Sequence, residues 1–370
     1  MFAIWLLALL HLYIGWRIAP QLPGSVASVG FAVLLILSSA LIPAAFLGRR
    51  ARDRRAADRW TWAGMLTLGL FSMLLTLTAL RDLVLLFTWP LPLPSLATPT
   101  ALAVPVLALL ATLWGLGGAR RTARVRDVDI PVVGLPLALQ GFTIAQITDI
   151  HVGPTVKRGY VQAIVEAVNR LNADAVAVTG DLVDGRVADL THDVAPLAGL
   201  RSRHGTYFVT GNHEYYSGVH EWTALLSTLG LRVLTNEHVV LNHDGVALVM
   251  AGVADFSAHH FVPGHRSDPQ RALAGAPVDA GLRVLLAHQP RSAAAAADAG
   301  FDVQLSGHTH GGQYWPFNLF VRLQQPFTAG LHPLRSLWVY TSRGTGYWGP
   351  PLRLGAPSEI TRLRFVAAAR

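Results

Sequence analysis

The chain changes texture once along its length. Up to about residue 126 its apolar residues come in long unbroken runs, and beyond about residue 130 they come in short runs separated by polar stretches. A helix needs about 20 apolar residues to cross a hydrocarbon core of about 30 Å. Four stretches meet or approach that length: 1–16, 25–47, 60–80 and 99–118. The first is short but can be extended by its flanks. The second carries Pro43 near its end, and the third opens on Trp60 and Trp62, which suit a membrane interface. Between the third and fourth, Arg81 and Asp82 interrupt the apolar run and Pro90, Pro92 and Pro94 cannot continue a helix, so 81–98 is expected to be an interfacial loop. The expected division is a membrane anchor over 1–126 and a second domain over 127–370.

In the second domain short apolar runs alternate with helical stretches, which argues for an α/β arrangement. The runs are 143–148, 175–179, 207–210, 284–287 and 303–305, with helices expected at 160–171, 219–229 and the alanine run 293–297. Each run leads into polar residues able to bind a metal: Asp149 and His151, Asp181, Asn212 with His213 and Glu214, His288, and His308 with His310. Ligands of open α/β sheets bind at the carboxyl ends of strands, so these five ends predict one shared rim. Asp149 and His151 stand two apart, as do His308 and His310, and each pair shares a face if its strand continues that far. Glycines 180, 211 and 307 precede the polar residues and permit sharp turns and close backbone approach. A single histidine at a strand end is usually a structural residue, and an aspartate after glycine is usually a turn. The repetition, in order and in one domain, separates this set from such coincidences.

Composition sharpens the picture. The chain is 52% hydrophobic and 14% charged, against about 25% charged in ordinary soluble proteins, which excludes a disordered chain, a coiled coil and an average soluble enzyme. The absence of cysteine excludes disulfides, thiolate metal sites and thiol nucleophiles. The net charge of +8 is unevenly placed: residues 1–126 hold 12 arginines against 3 acids, and the remainder 18 basic residues against 19 acids. The basic excess therefore belongs to the apolar part, and no nucleic-acid partner is expected. The arginines set an orientation. Six lie in the loop after the second run (Arg49, Arg50, Arg52, Arg54, Arg55, Arg59) and four follow the last (Arg120, Arg121, Arg124, Arg126), leaving only Arg17 and Arg81 for the other side. By the positive-inside rule the amino terminus and the second domain face the cytoplasm, at an inner membrane. A cleaved leader is the main rival reading of 1–16, and the lack of a positively charged start weakens it. His11 reads as a packing residue rather than part of a transport path.

The order Asp149-x-His151, Gly180-Asp181, Gly211-Asn212-His213-Glu214, His288 and Gly307-His308-Thr309-His310 resembles the calcineurin-like metallophosphoesterases over about 143–313. The strings ITDIHVG, VTGDLVDG, VTGNHEY and SGHTHGGQ resemble a membrane-associated bacterial subgroup of that family. The resemblance implies an α/β fold, a four-layer αββα sandwich of two mixed sheets flanked by helices, here preceded by four transmembrane helices. It also implies two divalent metal ions at one edge. One would take Asp149, His151, Asp181 and His310, and the other Asp181, Asn212, His288 and His308, with His213 as general acid. One carboxylate has two oxygens and can serve both ions. Two divalent ions against two carboxylates and one bridging hydroxide leave net positive charge, which attracts a phosphate anion. Such a pair clamps the attacking and leaving oxygens of an in-line displacement at phosphorus. A histidine and carboxylate donor set suits Mn, Fe or Zn.

The expected function is metal-dependent hydrolysis of a phosphodiester or pyrophosphate in a lipid or cell-envelope precursor, since an anchor raises local concentration at a lipid surface. The alternatives are a phosphodiesterase acting on soluble nucleotides and a non-catalytic membrane protein on the same fold. Other residues stay open. Glu214 either holds the His213 ring or is solvated. Asp184 is a partner of a metal ligand or a turn residue. His259, His260 and His265 form a third metal site, line a substrate path or sit exposed in a loop. Arg343 pairs with a substrate phosphate or lies on the surface of a glycine-rich turn. The aromatic residues Tyr314, Trp315, Phe317, Phe320, Tyr347 and Trp348 meet lipid, rest on a membrane or fill a core. No protein partner is inferable.

Overall fold

The structure is a computed structural model that describes residues 2–48, 53–92 and 94–368. Arg49, Arg50 and Arg52 of the basic loop lie outside the described residues. The chain divides into two units, one of residues 1–120 with Gly349–Leu354 and one of residues 121–348 with 355–370.

In the first unit the four apolar runs form α1 (Phe2–Ile18), α2 (Gly24–Gly48), α3 (Arg54–Thr88) and α4 (Ala97–Arg120). Among the described residues these are the four helices long and apolar enough to cross a membrane. The expected loop over 81–98 is corrected at its start, because α3 continues through Arg81 and Asp82 to Thr88. The charges that seemed to interrupt it have partners. Arg17 Nε donates to both Asp82 oxygens at 2.9 Å and the Tyr13 hydroxyl donates at 2.7 Å, while Arg81 donates to the Thr100 hydroxyl and the Ala97 carbonyl at 3.0 Å each. Paired charges do not break a helix; the prolines that follow do. His11 stacks on Phe71 with ring centres 4.2 Å apart and bonds Ser38, as a packing residue should. Helices α2 and α3 touch through small residues: a Cβ at Gly64 would collide with the Ala45 side chain and lie 2.8 Å from the Leu41 carbonyl oxygen. Leu352, in the segment Gly349–Leu354, is buried against Gly69 and Gly115, and the Arg353 amide donates to the Gly115 carbonyl at 2.9 Å.

In the second unit the strands are β1 (Arg124–Val132), β2 (Thr143–Ile147), β3 (Ala175–Val178), β4 (Thr206–Phe208), β5 (Leu231–Val233), β6 (Glu237–His243), β7 (Val246–Gly252), β8 (Leu282–Leu286), β9 (Val303–Ser306), β10 (Gly330–Leu334), β11 (Leu337–Thr341) and β12 (Glu359–Ala367). Among the described residues they make two six-stranded sheets, ordered β1-β12-β2-β3-β4-β5 and β10-β11-β9-β8-β7-β6. Both are mixed. In the first, β2 to β5 run parallel and β12 lies antiparallel to β2; in the second, β7, β8, β9 and β11 run parallel between antiparallel edges. Successive strand residues face opposite sides. Ile144, Met250, Val284, Leu286, Leu305 and Phe365 gather in one core drawn from both sheets, while their neighbours Val249, Ala251, Leu285 and Ala287 belong to a second cluster.

The helices are α5 (Arg158–Asn169), α6 (Val187–Val194), α7 (Asn212–Ser217), α8 (Val219–Thr228), α9 (Pro269–Leu273), α10 (Ala293–Ala299) and α11 (Phe317–Val321). Helix α5 buries Val161, Ile164, Val165 and Val168, one face at helical spacing, each contributing about 1.5–3 kcal/mol. Ala293 and Ala296 of α10 and Ala272 of α9 close over the second cluster. The result is the expected α/β fold of mixed sheets flanked by helices. The five apolar runs are β2, β3, β4, β8 and β9, three in one sheet and two in the other.

Candidate metal centre

Strand alternation is not what brings the paired residues together. Strand β2 ends at Ile147 and β9 at Ser306, so Asp149, His151, His308 and His310 all lie beyond their strands. They converge through left-handed turns instead: φ is 55° at Asp149 and His151, 51° at Asp181 and His310, and 70° at His308. Residues other than glycine seldom adopt this region, and holding each there costs about 1–3 kcal/mol. The turns are clasped to one another. The Asp149 amide donates to the Gly180 carbonyl at 2.9 Å, the His151 amide to the Asp181 carbonyl at 3.2 Å, and the His308 amide to the Asp149 carboxylate at 3.0 Å. Gly180, itself at φ 88°, has no room for a side chain, since a Cβ would stand 2.8 Å from His288 Nδ1 and 2.6 Å from the Gly211 amide nitrogen.

Seven of the expected residues are thereby brought to one place. Asp149, His151 and His310 bring ligand atoms within 4.8 Å of one another, and Asp181, His288 and His308 do the same. Asp181 Oδ2 lies 3.1 Å from His288 Nε2 and 4.0 Å from His151 Nε2, which joins the two groups. His151 Nε2 and His310 Nε2 are 3.0 Å apart, and His308 Nδ1 and His288 Nε2 are 3.2 Å apart. Two of the opposite ring nitrogens are engaged elsewhere. His288 Nδ1 donates to the Thr179 carbonyl at 2.7 Å, and His151 Nδ1 meets the Asp184 carboxylate at 3.0 Å. Metal-binding histidines are held in this way by their second nitrogen. Asn212 is buried, and its Oδ1 has no hydrogen-bond partner among the described residues. A buried amide oxygen left so costs about 1–3 kcal/mol unless something binds it. The donor set of imidazoles, carboxylates and one orphan amide oxygen fits divalent cations, and the two groups make a dinuclear site.

The charges are strongly interdependent. Burial opposes ionisation of Asp181, but the adjoining His288 overrides it and holds the carboxyl well below its ordinary range. Burial likewise disfavours a charged His288, and Asp181 reverses this and raises it well above the usual imidazole value. His308 is pushed down to about 3 by burial and by His288. Burial also disfavours a charged His213, yet the Asp184 hydrogen bond and the Asp181 charge lift it to about 9.

His213 projects from the first turn of α7. Its amide donates to Asp181 Oδ1 at 2.8 Å and its Nδ1 meets Asp184 Oδ1 at 2.6 Å. One Asp184 oxygen therefore orients both His151 and His213, a positioning role for which GDLVDG gave only proximity as a signal. Glu214 does neither of the things expected of it. It is fully buried and accepts the amides of Gly211 at 2.7 Å, Asp181 at 3.0 Å and Leu182 at 2.8 Å. Its place three residues after Gly211 at the start of α7 is the spacing of a helix capping box, and that spacing is legible in the sequence.

Arg343 stands at the same rim, beyond β11, beside Gly311. Its guanidinium donates to buried Glu359 at 3.0 Å. The three loop histidines do not form a group among the described residues: His259 and His260 line a cavity with Asn212 and His308, whereas His265 Nδ1 bonds the Tyr215 hydroxyl at 2.9 Å. The aromatic residues divide, with Tyr314 and Tyr347 buried and Trp315, Phe317, Phe320 and Trp348 exposed.

Comparison with known proteins agrees with this geometry. Residues 142–312 match the calcineurin-like phosphoesterase family. A "Transmembrane protein with metallophosphoesterase domain" of Bos taurus is 44% identical over 74% of this chain and 64% of its own length. Its Danio rerio counterpart is 41% identical over 71% of this chain and 62% of its own length. The chain thus spans slightly under two thirds of these two vertebrate relatives. An "Uncharacterized metallophosphoesterase" of Helicobacter pylori is 37% identical over 70% of this chain and 69% of its own length. The relatives are eukaryotic as well as bacterial, a wider spread than the resemblance to a bacterial subgroup implied. Sharing 37% of aligned residues with a protein of which it covers more than two thirds, and carrying helices able to cross a membrane, the chain belongs to the calcineurin-like metallophosphoesterases.

Proposed function

We propose that this protein is a membrane-anchored, two-metal hydrolase of phosphodiester or pyrophosphate bonds, acting on a lipid-linked substrate such as a cell-envelope precursor. One observation carries the reading: residues following five strands of two sheets place carboxylates, imidazoles and the unpartnered Asn212 oxygen around a single rim. Asp149, His151 and His310 would hold one cation and Asn212, His288 and His308 the other, with Asp181, whose carboxylate reaches His151 and His288, shared between them. When bound, two such cations supply Lewis acidity at phosphorus and ionise water near neutral pH. The chain does the rest. Asp184 fixes the His213 ring through Nδ1, which leaves Nε2 to deliver a proton to the leaving oxygen. Arg343, steadied by Glu359 beside Gly311, is the residue placed to pair with a substrate phosphate.

Two features support a substrate at the bilayer. The four long apolar helices tether the chain there. The stretch around α11 exposes Trp315, Phe317, Leu319, Phe320 and Leu323, an apolar group unusual on a soluble surface. The arginine distribution supports a cytoplasmic placement of residues 121–370. The test is full-length protein in detergent, loaded separately with Mn, Fe or Zn and offered a model diester, a model monoester and a nucleotide-linked lipid pyrophosphate in micelles. Preference for the micellar lipid is the expected result. Equal turnover of soluble diesters would replace the lipid reading with a nucleotide one, and bound metal without turnover would make the protein a non-catalytic binder. A cytoplasm-specific reporter fused after Arg370 should be active; activity from a periplasm-specific one would reverse the orientation.

A further inference from the structure

Beside the metal centre the structure has a cavity of about 260 Å³ whose wall includes Asn212 and His308, so it adjoins the clustered side chains. Its size is below the roughly 300–1,000 Å³ of pockets for drug-sized ligands, which suits one compact group rather than an acyl chain. The lining carries one fixed positive charge, Arg291, with the imidazoles of His259 and His260 beside it and no carboxylate. It is also polar in a way that calls for an occupant. His259 Nδ1 is a buried atom with no protein partner among the described residues, and in one tautomer it donates to an oxyanion.

Arg291 is set in place before any ligand arrives. Its Nε donates to the Gln324 carbonyl at 2.8 Å, and its guanidinium carbon lies 5.9 Å from the centre of the Phe256 ring. The floor is braced as well, since the Gln289 amide donates to both oxygens of buried Asp255 at 3.1 and 3.2 Å and receives the Gln325 amide at 3.2 Å. A held guanidinium is suited to planar or tetrahedral oxyanions, which it can engage through more than one donor.

We infer that this cavity receives a second, non-reacting phosphate of the substrate, with Arg291 as the residue that selects for it. The inference rests on the hydrolase reading above and narrows it to phosphate esters carrying two adjacent phosphates, as in a pyrophosphate diester. The test compares the full-length metal-loaded protein with Arg291→Gln and Arg291→Lys, using a nucleotide pyrophosphate diester and a bis-aryl phosphodiester as substrates. Arg291→Gln is expected to lower kcat/KM for the pyrophosphate about 10–100-fold more than for the aryl diester, with Arg291→Lys between them. Equal losses on both substrates would overturn the inference.

Calorimetric binding of inorganic pyrophosphate and inorganic phosphate separates this from the parent reading. If the unsubstituted protein hydrolyses nothing, the hydrolase reading fails, and the subsite stands only if pyrophosphate binds more tightly than phosphate and loses that advantage in Arg291→Gln. Indifference of the two anions to Arg291 would reject the subsite whatever the turnover.

Discussion

At the scale of single residues, Asp184 is the most consequential side chain outside the metal-binding set, because one of its oxygens holds two rings. His151 and His213 keep its carboxyl well below the ordinary range despite its burial. Replacing it with asparagine should weaken metal retention and lower turnover by about 10–100-fold, read by elemental analysis and steady-state rates. His213→Gln should behave differently. Metal content should hold while kcat falls about 10²–10⁴-fold on substrates with alkoxide leaving groups and much less on aryl esters, which depart without a proton. A uniform fall across leaving groups would remove the proton-donor role. The residue types at Asp149, His151, Asp181, Asn212, His288, His308 and His310 were legible in sequence because each follows an apolar run. Their backbone conformation was not. Left-handed φ at five non-glycine positions runs against the usual backbone preference, and bonds from the amides of Asp149, His151 and His308 to neighbouring turns and from that of Asp181 to Glu214 hold four of the five in place.

At the scale of elements, the alternation of short apolar runs with helical faces announced β2, β3, β4, β8, β9, α5, α8 and α10, since strands and helices leave different periodicities. What sequence could not show was the division of five strands between two sheets, which depends on pairing between distant segments. The end of α3 was misread for a local reason: Arg81 and Asp82 look like a break until Arg17, Tyr13 and Thr100 supply partners from other helices. One contact between the two sheets yields a pH prediction. His204, just before β4, shares a hydrogen bond of 3.0 Å with His243, the last residue of β6, with Phe142 packed beside both rings. Burial, then His243 and Arg203, lower the tendency of His204 to take a proton. The unfolded chain therefore binds a proton here that the folded one resists, so this contribution to stability is present above about pH 6.5 and is lost as pH falls through the folded value. Thermal midpoints measured from about pH 7 to about pH 5 should decline, and His204→Gln should make the decline shallower. An identical slope would assign the acid sensitivity to other groups.

At the scale of the whole molecule, a cation that binds only the folded centre stabilises it by about 2.7 kcal/mol at a hundredfold excess over its dissociation constant. Chelation should therefore lower the thermal midpoint of the sheet-containing unit, and Asp181→Asn should blunt that response; a midpoint indifferent to chelator would argue against tight metal binding. The chain itself is threaded so that it leaves the sheet unit after Trp348 and re-enters at Gly355. Severing the polypeptide at Arg120 would accordingly not release a self-contained soluble enzyme. Leu352 would lose Gly69 and Gly115, the Arg353 amide would lose its carbonyl acceptor, and a greasy hook would be left with nothing to grip. Any water-soluble version would have to rewrite that stretch rather than merely discard the amino-terminal helices.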